Sequence, residues 1–223
     1  MNSLFELTFN EITNNRAPSK TNELINVLIN ESELYSPNWH ALGFVHCKLA
    51  TFSNGTLRLH IWPSQERHVQ EQQHKIHDHI FSLTSYVVCG SIKNEIYKVE
   101  LVSKKLASTQ CYEIEYVKDG AKLRATGNYY NEIKLSDSLI NAGQHYTVVS
   151  GYLHQSSVPN STLVVTLVAT YDHKTAYPRL LGPVDDSEIN FREQIHYDRS
   201  KWIELLETAK NNLYKFNSLG NEI

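Results

Sequence analysis

The chain has 223 residues, of which 41% are hydrophobic and 20% charged, so it is long enough to bury a substantial core as a single globular domain. Its formal charge of −3 argues against a nucleic-acid partner, whose binding proteins are usually basic. No apolar run is long enough to span a bilayer, and the first residues lack the pattern of a secretory signal. Cys47, Cys89 and Cys111 are scattered and form no CxxC pair, so we expect a reduced, cytoplasmic protein.

Two helices are predicted, one near each end of the chain. In 21–34, Leu24, Ile25 and Leu28 recur at helical spacing after a start signal at Thr21. The second helix, at about 199–216, carries an apolar stripe, which we expect to dock on the outer face of a β core. The stripe consists of Trp202, Ile203, Leu205, Leu206, Ala209, Leu213 and Phe216.

The core between the helices, at about 43–175, is predicted to consist of short strands. They are expected at 43–50, 57–62, 84–88, 92–102, 111–117, 122–125, 132–135, 145–150 and 162–171. Many short strands without alternating helices predict an all-β fold that is a closed or sandwiched antiparallel barrel. The stretch 103–137, which contains an Asp119-Gly120 turn, is interpreted as an insertion of extra hairpins.

The most informative motif is His77-Asp78-His79. Residues two apart on a strand point to the same face, so both imidazoles can reach one point, with Asp78 directed away from it. His154, on a distant strand, can complete a facial set of three ligands, and imidazole suits iron, copper, nickel and zinc. Three buried histidines without partners are energetically costly, which favours a bound metal over a metal-free interior.

The other histidines lack a partner at ligand spacing. We expect His40, His46, His60, His68, His173 and His196 to be ordinary surface or core residues. His74 has an odd offset from His77, which predicts the opposite strand face, and His145 is a candidate to line the cavity. Glu95, the nearest carboxylate after the motif, is not expected to be a ligand.

The stretches around these histidines resemble the two motifs of the cupin superfamily. His77, His79 and Gly90 match the first motif, with Leu83 or Thr84 in place of its glutamate. Gly143, Gly151 and His154 match the second, with Val149 in place of its proline. The likeness extends over roughly 20–175 and includes an apolar strand ending in Trp62 before Ile76-His77-Asp78-His79. It implies a double-stranded β-helix whose centre has three histidines and no carboxylate, which is the pattern of the cysteine (thiol) dioxygenase type.

The resemblance also implies a function. It predicts a mononuclear Fe(II) dioxygenase acting on a small thiol or amino-acid-like substrate with O2, in a monomer or homodimer, although Zn, Ni, Mn or Cu also suits the ligands. A cation for a substrate carboxylate is expected at Arg58 or Lys48, and a catalytic tyrosine at Tyr171. Two family features are absent, since Ala169 replaces a histidine and Ser82 to Thr84 stand where the family has a cysteine. A cupin isomerase or lyase, or a non-catalytic metal cupin that binds a small molecule, remains an alternative.

Overall fold

A computed structural model describes residues 2–65, 67–69, 75–184 and 190–219. The helices are α1 (Asn2–Thr13), α2 (Thr21–Asn30) and α3 (Arg199–Leu219), with a 3-10 turn at Ser32–Leu34 after α2. No helix in these ranges is both long and apolar enough to cross a membrane. The two predicted helices are present, whereas α1 was not predicted.

The strands occupy most of the chain between α2 and α3. Their bounds are β1 (Asn38–Trp39), β2 (Val45–Phe52), β3 (Gly55–Trp62), β4 (Ser82–Cys89), β5 (Ser91–Leu101), β6 (Thr109–Val117), β7 (Gly120–Asn141), β8 (His145–Val148), β9 (Leu153–Ser157), β10 (Val164–Tyr171), β11 (Arg179–Gly182), β12 (Asn190–Glu193) and β13 (Ile195–His196). The two strands predicted within 122–135 are parts of one strand, β7, which forms the expected hairpin with β6.

The strands form two antiparallel sheets in jelly-roll order. One sheet runs β13-β1-β2-β3-β10-β4-β8, and the other runs β11-β6-β7-β5-β9. The segment containing His77 lies beside β9. This segment, β9, β5 and β7 form one layer, which faces a second layer of β3, β10, β4 and β8 across the interior. The chain crosses repeatedly between the two sheets. This is the eight-stranded arrangement of a jelly roll, so the fold is an all-β barrel of cupin type with flanking helices.

The second sheet closes on itself at the histidine motif. Residue 77 bridges both His154 in β9 and Leu180 in β11, and β11 is joined through β6 and β7 to β5. The segment at residues 76–79 therefore has a neighbouring strand on each side. One face of it looks into the jelly-roll interior, and the other looks towards a separate apolar cluster that contains Cys111, Leu153 and Leu181.

The helices cover the outer face of the first sheet. Trp202, Leu206 and Ala209 of α3 are buried against the same core as Leu57 and Leu59 of β3. Alternation along β3 then directs the intervening side chains into the barrel. The predicted docking of the C-terminal helix is confirmed, while the side chain of Phe216 lies outside the described residues.

Candidate metal centre

The three motif histidines meet inside the barrel, where they form a cluster that we call the triad. The backbones of His77 and His154 exchange two hydrogen bonds, with N–O distances of 3.0 and 2.8 Å. Gly151 N donates to His79 O at 2.9 Å, which fixes the turn before β9 to the same segment. Strand pairing thus brings together ligands that lie far apart in the sequence.

The triad has the dimensions of a metal site. Its ligand atoms all lie within 4.8 Å of one another, and Nε2 of His79 lies 3.0 Å from Nε2 of His154. Nitrogens that share one ion lie about 2.0–2.1 Å from it, which places two such nitrogens roughly 3 Å apart. No carboxylate belongs to the cluster among the described residues, so the donor set is three imidazoles.

Hydrogen bonds on the far side of two rings direct their lone pairs into the site. Nδ1 of His77 lies 2.9 Å from Lys75 O, and a carbonyl can only accept, so this nitrogen carries the proton. Nδ1 of His154 donates to Oδ1 of Asn94 at 3.0 Å, and this oxygen also accepts from Ser156. In both rings Nε2 is therefore the unprotonated nitrogen, as metal ligation requires.

The electrostatics keep the triad neutral. Removal from water lowers the pKa of all three histidines, and their mutual repulsion when protonated adds to the effect for His79 and His154. The positive charge of Arg58 lowers the pKa of His79 further. Neutral imidazole is the form that binds metals, so protons compete weakly for these nitrogens at neutral pH.

The residues flanking the triad show which positions face it. Leu83, in place of the motif glutamate, lies on the interior face in an apolar cluster with Val148 and Val168. Glu95 points to the opposite face, where it binds Lys134 at 2.6 Å and Lys93 at 3.1 Å. The expectation that Glu95 is not a ligand is confirmed by this geometry.

A cavity of about 320 Å³ opens beside the triad. His77 and His79 form part of its lining, together with Tyr116, Leu180 and Arg192. The volume is at the lower end of those typical of small-molecule sites.

Three further histidines lie in the same interior, and we call them the wall histidines: His40, His46 and His60. His46 pairs across the strands with His60, and the ring of His40 lies 5.8 Å from that of His46. Burial lowers the pKa of all three, that of His46 to about 4. These histidines lie in the interior and outside the triad, but the sequence did not predict their proximity to one another: His40 directly follows β1, and β1, β2 and β3 are neighbours in one sheet.

The two predicted cations have different surroundings. Arg58 lies inside the barrel with its guanidinium 5.4 Å from the ring centre of Phe81, which in turn stacks on His79. Its Nε is buried and has no hydrogen-bond partner, and no described carboxylate forms an ion pair with it. Lys48 is exposed and does not line the cavity. Leu57 and Leu59 face the helices, so the alternation of β3 directs Arg58 to the opposite face.

Tyr171 is not brought to the triad. Its hydroxyl lies 3.0 Å from Oγ1 of Thr84, and its strand neighbour Ala169 belongs to the helix-covered core. Alternation therefore places Tyr171 on the outer face of the sheet. Tyr116 is the tyrosine that lines the cavity, and it comes from the predicted insertion.

Two further histidines, His145 and His74, were singled out in the sequence. His145 bonds Arg16 O and packs on Tyr86, away from the cavity. His74 lies outside the described residues. Sequence reasoning missed Asn94, although its place between Ile92 and Ile96 on one strand face marked it as a polar side chain directed into the interior.

The fold and the triad together define a cupin-type barrel with a candidate metal centre. No protein-family model matches the chain, and no curated protein matches its sequence. Among solved structures, it is similar to the hydroxypropylphosphonic acid epoxidase from S. wedmorenis, with 11% identity and a TM-score of 0.35 over 61% of this chain and 55% of that one. The match thus spans about half the length of that protein, and our assignment depends on the strand order and side chains of the present chain.

Proposed function

We propose that the protein is a mononuclear metal-dependent oxygenase that acts on a small anionic substrate, with a thiol as the preferred class. The observation that supports this most is the convergence of three neutral imidazoles beside a cavity. Fe(II), the preferred metal of the proposal, supplies redox chemistry with dioxygen when it is bound. His77, His79 and His154 would hold this ion through three imidazole nitrogens, a donor type that suits iron.

The surrounding side chains favour an anion. A buried guanidinium without a counter-ion is energetically costly, and an anionic substrate group relieves that cost. Arg58 has no counter-ion among the described residues, and it lies near both Phe81 and His79. Arg192, which lines the cavity, places a positive charge in its wall. We propose that Arg58 binds the substrate anion, while exposed Lys48 has no direct role in the cavity.

For a thiol, the reaction inserts both oxygen atoms of O2 into the S–H group and forms a sulfinic acid. Sulfur loses four electrons and dioxygen gains them, so no further reductant is required. The triad imidazoles hold no proton to donate from Nε2 when they ligate an ion. Acid–base work therefore falls to other cavity groups, of which Tyr116 is one.

Oxygen consumption tests this proposal. The purified protein is loaded anaerobically with Fe(II) and mixed with O2 and a panel of small thiols, including amino-acid thiols. Uptake of one O2 per thiol and a mass gain of two oxygen atoms are expected. The His154→Ala protein, treated identically, controls for oxidation by free iron. Iron binding without oxygen uptake for any thiol would remove the dioxygenase assignment.

One observation favours a second candidate, a metal-dependent isomerase or lyase. The position predicted for a catalytic tyrosine, Tyr171, faces away from the triad. Activity on a small organic acid with Zn(II) or Ni(II), in the absence of oxygen uptake, would identify this alternative.

A further inference from the structure

The side of the motif opposite the triad carries an ion pair between a buried carboxylate, Asp78, and a partly exposed guanidinium, Arg179. The Asp78 side chain is 5% exposed, and its carboxylate accepts from Arg179 twice, from the backbone N at 2.6 Å and from Nε at 2.7 Å. Asp78 N donates in return to Arg179 O at 2.9 Å. Since Asp78 separates two triad residues, this contact fixes which face of the segment each side chain occupies.

The same guanidinium reaches the other ligand-bearing stretch. Nη2 of Arg179 donates to Gly151 O at 3.1 Å, and Gly151 lies in the turn that leads to His154. One planar side chain thus contacts both parts of the chain that supply triad histidines. Its several donors in a fixed fork make such a double contact possible, which a lysine ammonium cannot reproduce with the same geometry.

We propose that the Asp78–Arg179 pair is a positioning device for the metal centre, setting the register of the segment at residues 76–79 against the turn before β9. The proposal rests on the triad being a metal site. Backbone hydrogen bonds at residues 76–79 join the segment to its neighbours over only a few residues rather than in a long ladder, and the side-chain pair adds a further constraint on its register. A slip by one residue would turn both motif histidines away from the interior.

Buried ion pairs add little net stability compared with apolar residues, but they can specify one arrangement over others. Breaking this pair is therefore expected to weaken metal binding while changing the thermal midpoint of the protein little. Partners that orient metal ligands typically contribute about 10- to 100-fold in affinity.

Asp78→Asn is the main test variant, because it retains an acceptor for the backbone N of Arg179 and removes the charge. Arg179→Lys is the second, because it retains the charge and removes the fork. Glu95→Gln is the matched control: the Glu95 side chain is 8% exposed and ion-paired, and it lies on the sheet face opposite the triad. Each protein is titrated anaerobically with Co(II), with the visible absorption spectrum, the dissociation constant and the thermal midpoint as readouts.

We expect Asp78→Asn and Arg179→Lys to bind Co(II) about 10-fold more weakly and with an altered spectrum, whereas Glu95→Gln matches the wild type. Wild-type affinity and spectrum in both folded test variants would overturn the positioning role and leave the metal site standing. An affinity loss in Glu95→Gln as large as in Asp78→Asn would also overturn it, because general destabilisation would then explain both. Absence of metal binding by the wild type would instead overturn the proposed function, together with this inference.

Discussion

The triad and the wall histidines occupy one barrel interior, yet only the triad has the geometry of a metal site. The triad nitrogens lie within 4.8 Å of one another, and the outer nitrogens of His77 and His154 are bound to Lys75 O and Asn94. The wall rings of His46 and His60 stand 6.4 Å apart and nearly perpendicular, and His40 stacks on Phe44 instead. Placing histidines on one face is thus insufficient, and the convergence of the ring nitrogens on one point distinguishes the triad from the wall histidines.

The largest effect expected from this comparison is loss of the metal on truncating a triad member. His154→Ala leaves two imidazoles, too few to hold a divalent ion, and should weaken binding by more than the roughly 100-fold seen for outer partners. His60→Ala is the matched wall variant and should retain the metal. Metal content after dialysis checks this, and full occupancy in the His154 variant would refute the triad.

Substitution of Arg58 tests whether the interior is built for an anion. Arg58→Met should raise the Michaelis constant of an anionic substrate roughly 10- to 100-fold, as loss of a charged hydrogen bond of about 1.5–3 kcal/mol predicts. The same variant should unfold at equal or higher denaturant concentration without ligand, since it removes a buried charge that has no counter-ion among the described residues. Lys48→Met, at an exposed position, serves as the control. A marked loss of ligand-free stability in Arg58→Met would contradict this interpretation.

Removing the hydrogen-bond partner of one triad ring should leave that ring less firmly oriented towards the metal site. Asn94→Ala frees Nδ1 of His154 and should weaken metal binding by about 10-fold, with the fold intact. Isothermal titration with Co(II) measures the change. Ser156→Ala removes only a second contact to the same Asn94 oxygen and should have a smaller effect.

The stability of the protein at acidic pH should reveal that the triad and the wall histidines are neutral in the folded state. Burial lowers the pKa of His46 to about 4, whereas an unfolded histidine has a pKa of about 6.5. Below about 6.5 the unfolded chain binds a proton at His46 that the folded chain does not, so the contribution of His46 to stability is constant above this pH and declines as the pH falls towards 4. Urea unfolding at pH 7 and pH 5 measures the decline, which should be smaller in His46→Gln. Equal declines in the two proteins would show that His46 titrates normally.

The smallest effect is expected at Tyr171. Tyr171→Phe removes its contact with Thr84 and should reduce stability by about 1 kcal/mol, while metal affinity and turnover change little. Tyr116→Phe, on the cavity wall, should reduce turnover more. A large loss of turnover in the Tyr171 variant would require its side chain to reach the interior in solution.

The sequence alone predicted the all-β class, the C-terminal helix and the three histidines, because these depend on local periodicity and on residue type. Period-two spacing put His77 and His79 on one face, and the apolar stripe of α3 required a surface to cover it. His154 was expected on a strand, but the range of that strand, β9, was absent from the predicted strands, because its sequence Leu-His-Gln-Ser-Ser is too polar to be recognised as one. Its pairing with β5 and with residue 77 compensates for that weak propensity.

Tertiary structure decided everything that depends on which strands become neighbours. The adjacency of β2 and β3 made His46 and His60 partners, and the return of β11 to the motif placed Arg179 on Asp78. The face of β10 on which Tyr171 lies could not be predicted either, because the sequence does not indicate which face of β10 the helices cover. The spacing of residues along a strand determines which side chains share one face of it. Long-range strand pairing determines which other residues that face contacts.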